Sequence, residues 1–137
     1  MIWDQLSELN WLAVVVGTVA WFVWSAIWYS VPPISKAWQK AAKVSPAEGA
    51  SMAKLLIPTY VGYFVTVVVI AMLAAAVGTA DVVDAIGLGV ALGVGFGVVN
   101  AMVTQLYEQK GGAYWLINGV NAIVAFSIVA VVVTLMD

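Results

Sequence analysis

The chain has 137 residues, 64% of them hydrophobic and 9% charged, with a net charge of −2 and a mean hydropathy of +1.05. A soluble domain is about half apolar and about a quarter charged, so most of this chain is suited to lipid rather than water. Five lysines without an arginine give no basic footprint for nucleic acid, and the absence of cysteine and histidine excludes disulfides, thiol chemistry, histidine-bound metal and histidine-ligated haem.

The opening segment "MIWDQLSELN" lacks the basic start of a signal peptide and offers no small-residue cleavage site. The first apolar run therefore reads as a membrane span of the mature protein. Apolar runs at 11–30, 55–77, 84–106 and 114–136 each reach the roughly 20 residues needed to cross a hydrocarbon layer. Strands of a barrel would be about half as long and alternating. Backbone groups in lipid must be satisfied within the segment, so the four runs are predicted to be helices. No internal repeat or second domain is evident, and residues 1–137 read as one four-helix transmembrane domain.

The first span carries Trp21, Trp24 and Trp28 at helical spacing, with Tyr29 beside the last. Trp28, Tyr29 and Trp38 read as a cytoplasmic-side aromatic belt, and Trp3 and Trp11 as the outer one. Trp21 and Trp24 fall near the bilayer middle. There they fill space against a neighbouring helix, or line a contact with another protein or a lipid-like pigment.

Next comes "ISKAWQKAAK", in which Ile34, Ala37, Trp38 and Ala41 recur on one helical face while Lys36, Lys40 and Lys43 take another. This pattern predicts a short amphipathic helix lying in the interface, its lysine stems reaching anionic headgroups. It serves as an anchored loop, or else as a lipid sensor or docking patch. In "SPAE", Ser45 is expected to cap the second helix, with Pro46 at its first position and Glu48 completing a capping box. That helix would then begin before the membrane and bend near Pro58.

The third span is the most patterned. At about 100° per residue, Gly89, Gly93, Gly97 and Ala101 share one face with Asn100, Thr104 and Glu108. A glycine-zipper ridge of this kind lets another backbone approach closely. The hairpin "EQKGGA" makes spans three and four antiparallel neighbours. Counting from it sets Asn100 level with Asn121 and Thr104 level with Asn118, while Ser25, Tyr29, Tyr63 and Thr66 lie at similar depth. Two readings stand: hydrogen bonds fastening four helices together, or a polar cavity open to the cytoplasm that binds an ion or small solute. Glu108 is expected to reach the headgroups and pair with Lys110 or Lys54, with proton chemistry as the alternative.

All five lysines lie between spans one and two or between three and four, while Asp4, Glu8, Asp81, Asp84 and Asp137 lie elsewhere. The positive-inside rule then places both termini outside. The expected fold is an all-α integral membrane protein, an up-down bundle with N-out/C-out topology. No nucleophile–base pair, paired carboxylates or phosphate loop is present, so neither an enzyme nor a bound cofactor or metal is expected.

Several stretches resemble a known family. "NWLAVVVGTVAWFVWSAIWYS", then "KAW", "LYEQ" and "LINGVN" are similar to an uncharacterised family of small bacterial four-helix membrane proteins, catalogued as domain of unknown function 1761. Asn10-Trp11, Trp28-Tyr29-Ser30, Lys36-Ala37-Trp38, Glu108 and Asn118-Gly119 carry the likeness, which covers residues 10–136. Val31 and Ser35 stand where the family tends to have proline and glycine, and Asn121 where it often has histidine. The resemblance implies a four-helix membrane fold and no established activity.

The expected role is a multi-pass protein of a bacterial cytoplasmic (inner) membrane. It would act by helix–helix association with the lipid bilayer as its medium, as a homo-oligomer or as an accessory subunit of a larger membrane complex. The alternative is a small-solute or ion transporter built on Asn100, Thr104, Asn118 and Asn121.

Overall fold

Each apolar run folds as a helix whose ends follow from local residues in the computed structural model, which describes residues 2–43 and 52–137. After a short 3₁₀ turn (Ile2–Glu8), α1 spans Trp11–Ser30. Asn10 caps α1, its side-chain oxygen accepting from the Ala13 N–H at 3.2 Å. Val31 is extended (ψ 120°), as a residue before proline is forced to be. Pro32 and Pro33 then open α2 (Pro32–Ala42) at positions where no amide hydrogen is needed. Lys43, left-handed at φ 61°, closes α2 by donating its N–H to the carbonyls of Gln39 and Lys40.

Helix α3 covers Met52–Val77 and runs through Pro58. The start expected at Ser45, Pro46 and Glu48 lies outside the described residues, as does the side chain of Lys54. Gly78 (φ 78°) ends α3, a conformation that favours glycine. Asp81 caps α4, accepting from the Asp84 N–H at 2.9 Å. Helix α4 spans Val82–Tyr107 and α5 Ala113–Leu135. Thus α1, α3, α4 and α5 form four helices long and apolar enough to cross a membrane, and the chain is a multi-pass membrane protein.

The hydrogen bonds between segments fix which ends share a side. The Asn10 side chain donates to the Met136 carbonyl at 2.6 Å, and the Thr79 and Thr134 hydroxyls lie 2.9 Å apart. At the opposite end, the Gly111 N–H donates to the Ala41 carbonyl at 2.6 Å. The spans therefore alternate in direction. The acidic 81–84 turn sits at the first end, and the lysines of α2 and the α4–α5 turn sit at the second.

The arrangement departs from an even bundle. Helix α5 is central, packing against α1, α3 and the whole of α4, whereas α4 makes little contact with α1 or α3. The core joins Val14, Thr18 and Trp21 of α1 to Val67, Ile70 and Ala71 of α3 and to Ala125, Val129 and Ala130 of α5. Gly17 makes room there, since a Cβ would lie 3.2 Å from Val67. Small residues let these backbones approach, which is how helices gain contact where lipid supplies no hydrophobic drive. Trp21 belongs to this core, stacked on Tyr63 at 3.9 Å with Phe126 edge-on at 5.4 Å. Packing is thus the role of Trp21, and Trp24 stacks on Trp28 beside it.

Candidate functional site: polar groups within the spans

The glycine face of α4 lies against α5. A Cβ on Gly93 would sit 2.6 Å from the Ile123 Cα, one on Gly89 would fall on the Ser127 backbone, and one on Gly97 on the Ala122 side chain. Contacts below 3.0 Å are not tolerated by real side chains, so glycine is required at 89 and 93 for backbone proximity. The reciprocal glycine is Gly119 of α5, which Val98 covers. The ridge is consumed inside the chain and leaves nothing for a partner.

The ideal helical wheel fails one turn later. Residues Gly93–Val98 form a π-helical turn, in which the Val99 N–H reaches back five residues to the Val94 carbonyl. Such a turn inserts one residue and rotates everything after it by about 100° relative to a regular helix. Three glycines at 93, 95 and 97 make the wider turn accessible. Ala101 and Gln105 consequently turn toward the protein and are half-buried, and Thr104 is also half-buried.

Asn100 is turned out and exposed. Its side chain has no hydrogen-bond partner among the described residues. Register shifts as well: Gly97 meets Ala122 and Val98 meets Gly119, so Asn100 lies about one turn nearer the hairpin than Asn121. The four-way cluster of Asn100, Thr104, Asn118 and Asn121 does not form.

Asn118 and Asn121 face α1 instead. The Tyr29 hydroxyl donates to the Asn118 side-chain oxygen, Ser25 donates to that of Asn121 at 3.3 Å, and the Trp28 indole N–H donates to the Ile117 carbonyl at 3.1 Å. A polar seam therefore fastens α1 to α5, with Trp38 edge-on to Tyr29. Trp28 and Tyr29, expected as headgroup anchors, spend their polar atoms inside the protein. The α3 groups do not join the seam: Tyr63 stacks on Trp21, and the Thr66 hydroxyl returns to the Gly62 carbonyl at 3.0 Å.

At the lysine end, Lys36, Lys40 and Lys43 are exposed. Lys110 is committed, its ammonium lying 2.7 Å from the Ala42 carbonyl at the C-terminus of α2. A cation placed there stabilises the exposed carbonyls of the last turn. Gln105 braces the same loop through the Lys110 carbonyl at 2.7 Å. Glu108 is exposed and does not form the expected pair with Lys110.

Sequence reasoning had noted Asn10 only for its family likeness and not as a cap, and had not marked Gln105 or the pairing of Ser25 with Asn121. The first was detectable as a cap residue immediately before an apolar run. At the acidic end, a cavity of about 330 Å³ is lined by residues including Gln5, Glu8, Asn10 and Thr134. No group of three or more potential metal ligands occurs among the described residues.

Comparison with curated proteins and with solved structures returns no match. The sequence pattern of the family described as "Protein of unknown function (DUF1761)" matches residues 12–134, and this chain, over nearly all of its length, belongs to that family.

Proposed function

We propose that the protein works by lateral association within a bacterial cytoplasmic membrane, both termini outside and α2 lying in the cytoplasmic interface. Lysines gathered at one end support that orientation, and the exposed Lys36, Lys40 and Lys43 beside inward-facing Ala41 support the interfacial position of α2.

One observation carries the association reading: the unpartnered amide of Asn100. Helix α4 has 26 residues, about 39 Å of helix, and Asn100 lies about 8 Å from its middle. The hydrocarbon layer extends about 15 Å either way, so this amide sits in lipid, where an unsatisfied polar group costs several kcal/mol. Asparagine is too short to reach the headgroups from there. A partner helix supplies what lipid lacks.

The transport reading required Asn100 and Thr104 beside Asn118 and Asn121, and the direct pairing of Asn118 with Tyr29 and of Asn121 with Ser25 speaks against it. The test is the mass of the protein extracted in mild detergent. The parent is expected to migrate as an assembly, and Asn100→Leu as a folded single chain of unchanged helix content. A parent that is monomeric in both detergent and bilayer would sink the proposal.

A further inference from the structure

The geometry points to a second copy of this chain as the occupant of the Asn100 face. This rests on the association reading and adds the identity of the partner.

An asparagine side chain carries both a donor and an acceptor. It can therefore satisfy an identical side chain reciprocally, N–H to carbonyl in each direction. Two copies inserted with the same orientation are related by a twofold axis along the membrane normal. That symmetry sets Asn100 opposite Asn100 at one depth, with no requirement on any other sequence. A partner with a different sequence would need its own polar group at that depth and bearing.

The surface around Asn100 admits such an approach. Helix α4 uses one face for α5 and has little contact with α1 or α3, so its outer side is free along the span. Gly87, Ala91 and Gly95, four residues apart, form an exposed row that leads through the π turn to Asn100. A Cβ on Gly87 or Gly95 would meet nothing within 4 Å, unlike one on Gly89 or Gly93. These glycines are therefore not needed for packing within the chain. A row of small residues brings helix axes close enough for two short amides to meet. The π turn is what separates the two faces. It sends Gly89 and Gly93 to α5 and Asn100 outward, where a regular helix would have stacked all of them on one side.

The chain contains no cysteine, which makes single-cysteine cross-linking in native membranes clean. Phe96 and Val103, one turn either side of Asn100, are 71% and 42% exposed, while Val94, at 45%, lies on the other flank of α4. Phe96→Cys and Val103→Cys are expected to give disulfide-linked species of twice the chain mass on oxidation. Val94→Cys should not, and adding Asn100→Leu to Val103→Cys should lower the yield at least tenfold. Because Asn100 is exposed, Asn100→Leu should leave the melting temperature of the single chain unchanged, which separates lost pairing from lost folding. Equal yields at all three positions, or yields indifferent to Asn100→Leu, overturn the proposal. Cross-links only to a different protein overturn the second copy but leave the association reading standing. Monomer alone, together with a monomeric mass in detergent, overturns both.

Discussion

Replacing Gly93 with alanine adds one methyl group where the α5 backbone lies close against α4. The new Cβ would stand 2.6 Å from the Ile123 Cα and 3.0 Å from its nitrogen. That is roughly 0.8 Å inside the 3.4 Å at which ordinary contact begins, and close-packed interiors do not yield that distance locally. The obstacle is backbone rather than a flexible side chain, so α4 and α5 must part along several turns. Overpacking of this kind costs about 1–3 kcal/mol. It outweighs the roughly 1 kcal/mol that alanine gains over glycine in a helix.

Gly62 of α3 is the internal control, because a Cβ there meets nothing within 4 Å. Gly62→Ala should therefore keep the propensity gain. Unfolding in mixed detergent, followed by circular dichroism, should show Gly93→Ala less stable than the parent and Gly62→Ala equal or more stable. Gly93→Leu should be worse than Gly93→Ala. If the two alanine variants shift stability in the same direction by the same amount, α4 does not pack on α5 through its glycine face.

Two further outcomes are expected. Tyr29→Phe and Asn118→Leu each break the seam between α1 and α5. Each should cost about 0.6–2 kcal/mol in the same unfolding assay, and the double variant less than the two together; additive losses would mean the pair does not interact. For topology, cysteine at Ser7 should react with an impermeant thiol reagent on intact cells, whereas cysteine at Lys36 should react only after the membrane is opened, and the reverse pattern would overturn the lysine argument.

The sequence made the spans legible because length and hydrophobicity alone decide them: 11–30 and 55–77 end where α1 and α3 do, and 84–106 and 114–136 lie within two residues of α4 and α5. The amphipathic helix was equally readable, since Ile34, Trp38 and Ala41 repeat with helical period. The glycine face could also be found, because close backbone approach needs missing side chains, whoever the neighbour is. What the pattern could not reveal was the neighbour itself. Gly89, Gly93 and Gly97 look the same whether they meet α5 or another molecule.

The polar cluster failed for a different reason. A helical wheel assumes one rotation per residue, and the Val99–Val94 hydrogen bond breaks that assumption just before Asn100. Nothing in "GVGFGV" states that the turn will widen, although three alternate glycines lower the cost of doing so. Likewise Ser25 and Tyr29 were placed at the right depth, but depth does not say which two helices are adjacent.

The position of Asn100 can be argued from the alternatives open to it. In a regular α4 its amide would turn toward α5, near Ile117 and Gly119. The obvious partners on that face are already engaged, Asn118 by Tyr29 and Asn121 by Ser25. A buried amide without a partner costs about 1–3 kcal/mol, and its volume would press on a contact that glycines hold close. Turned outward by the π turn, the same amide avoids the clash but enters lipid, where the cost of leaving it unpaired is several kcal/mol. Neither face of an isolated chain satisfies it. Pairing across two copies removes both costs at once. The proposed association therefore uses the side of α4 that the glycine ridge leaves open, and not the ridge itself.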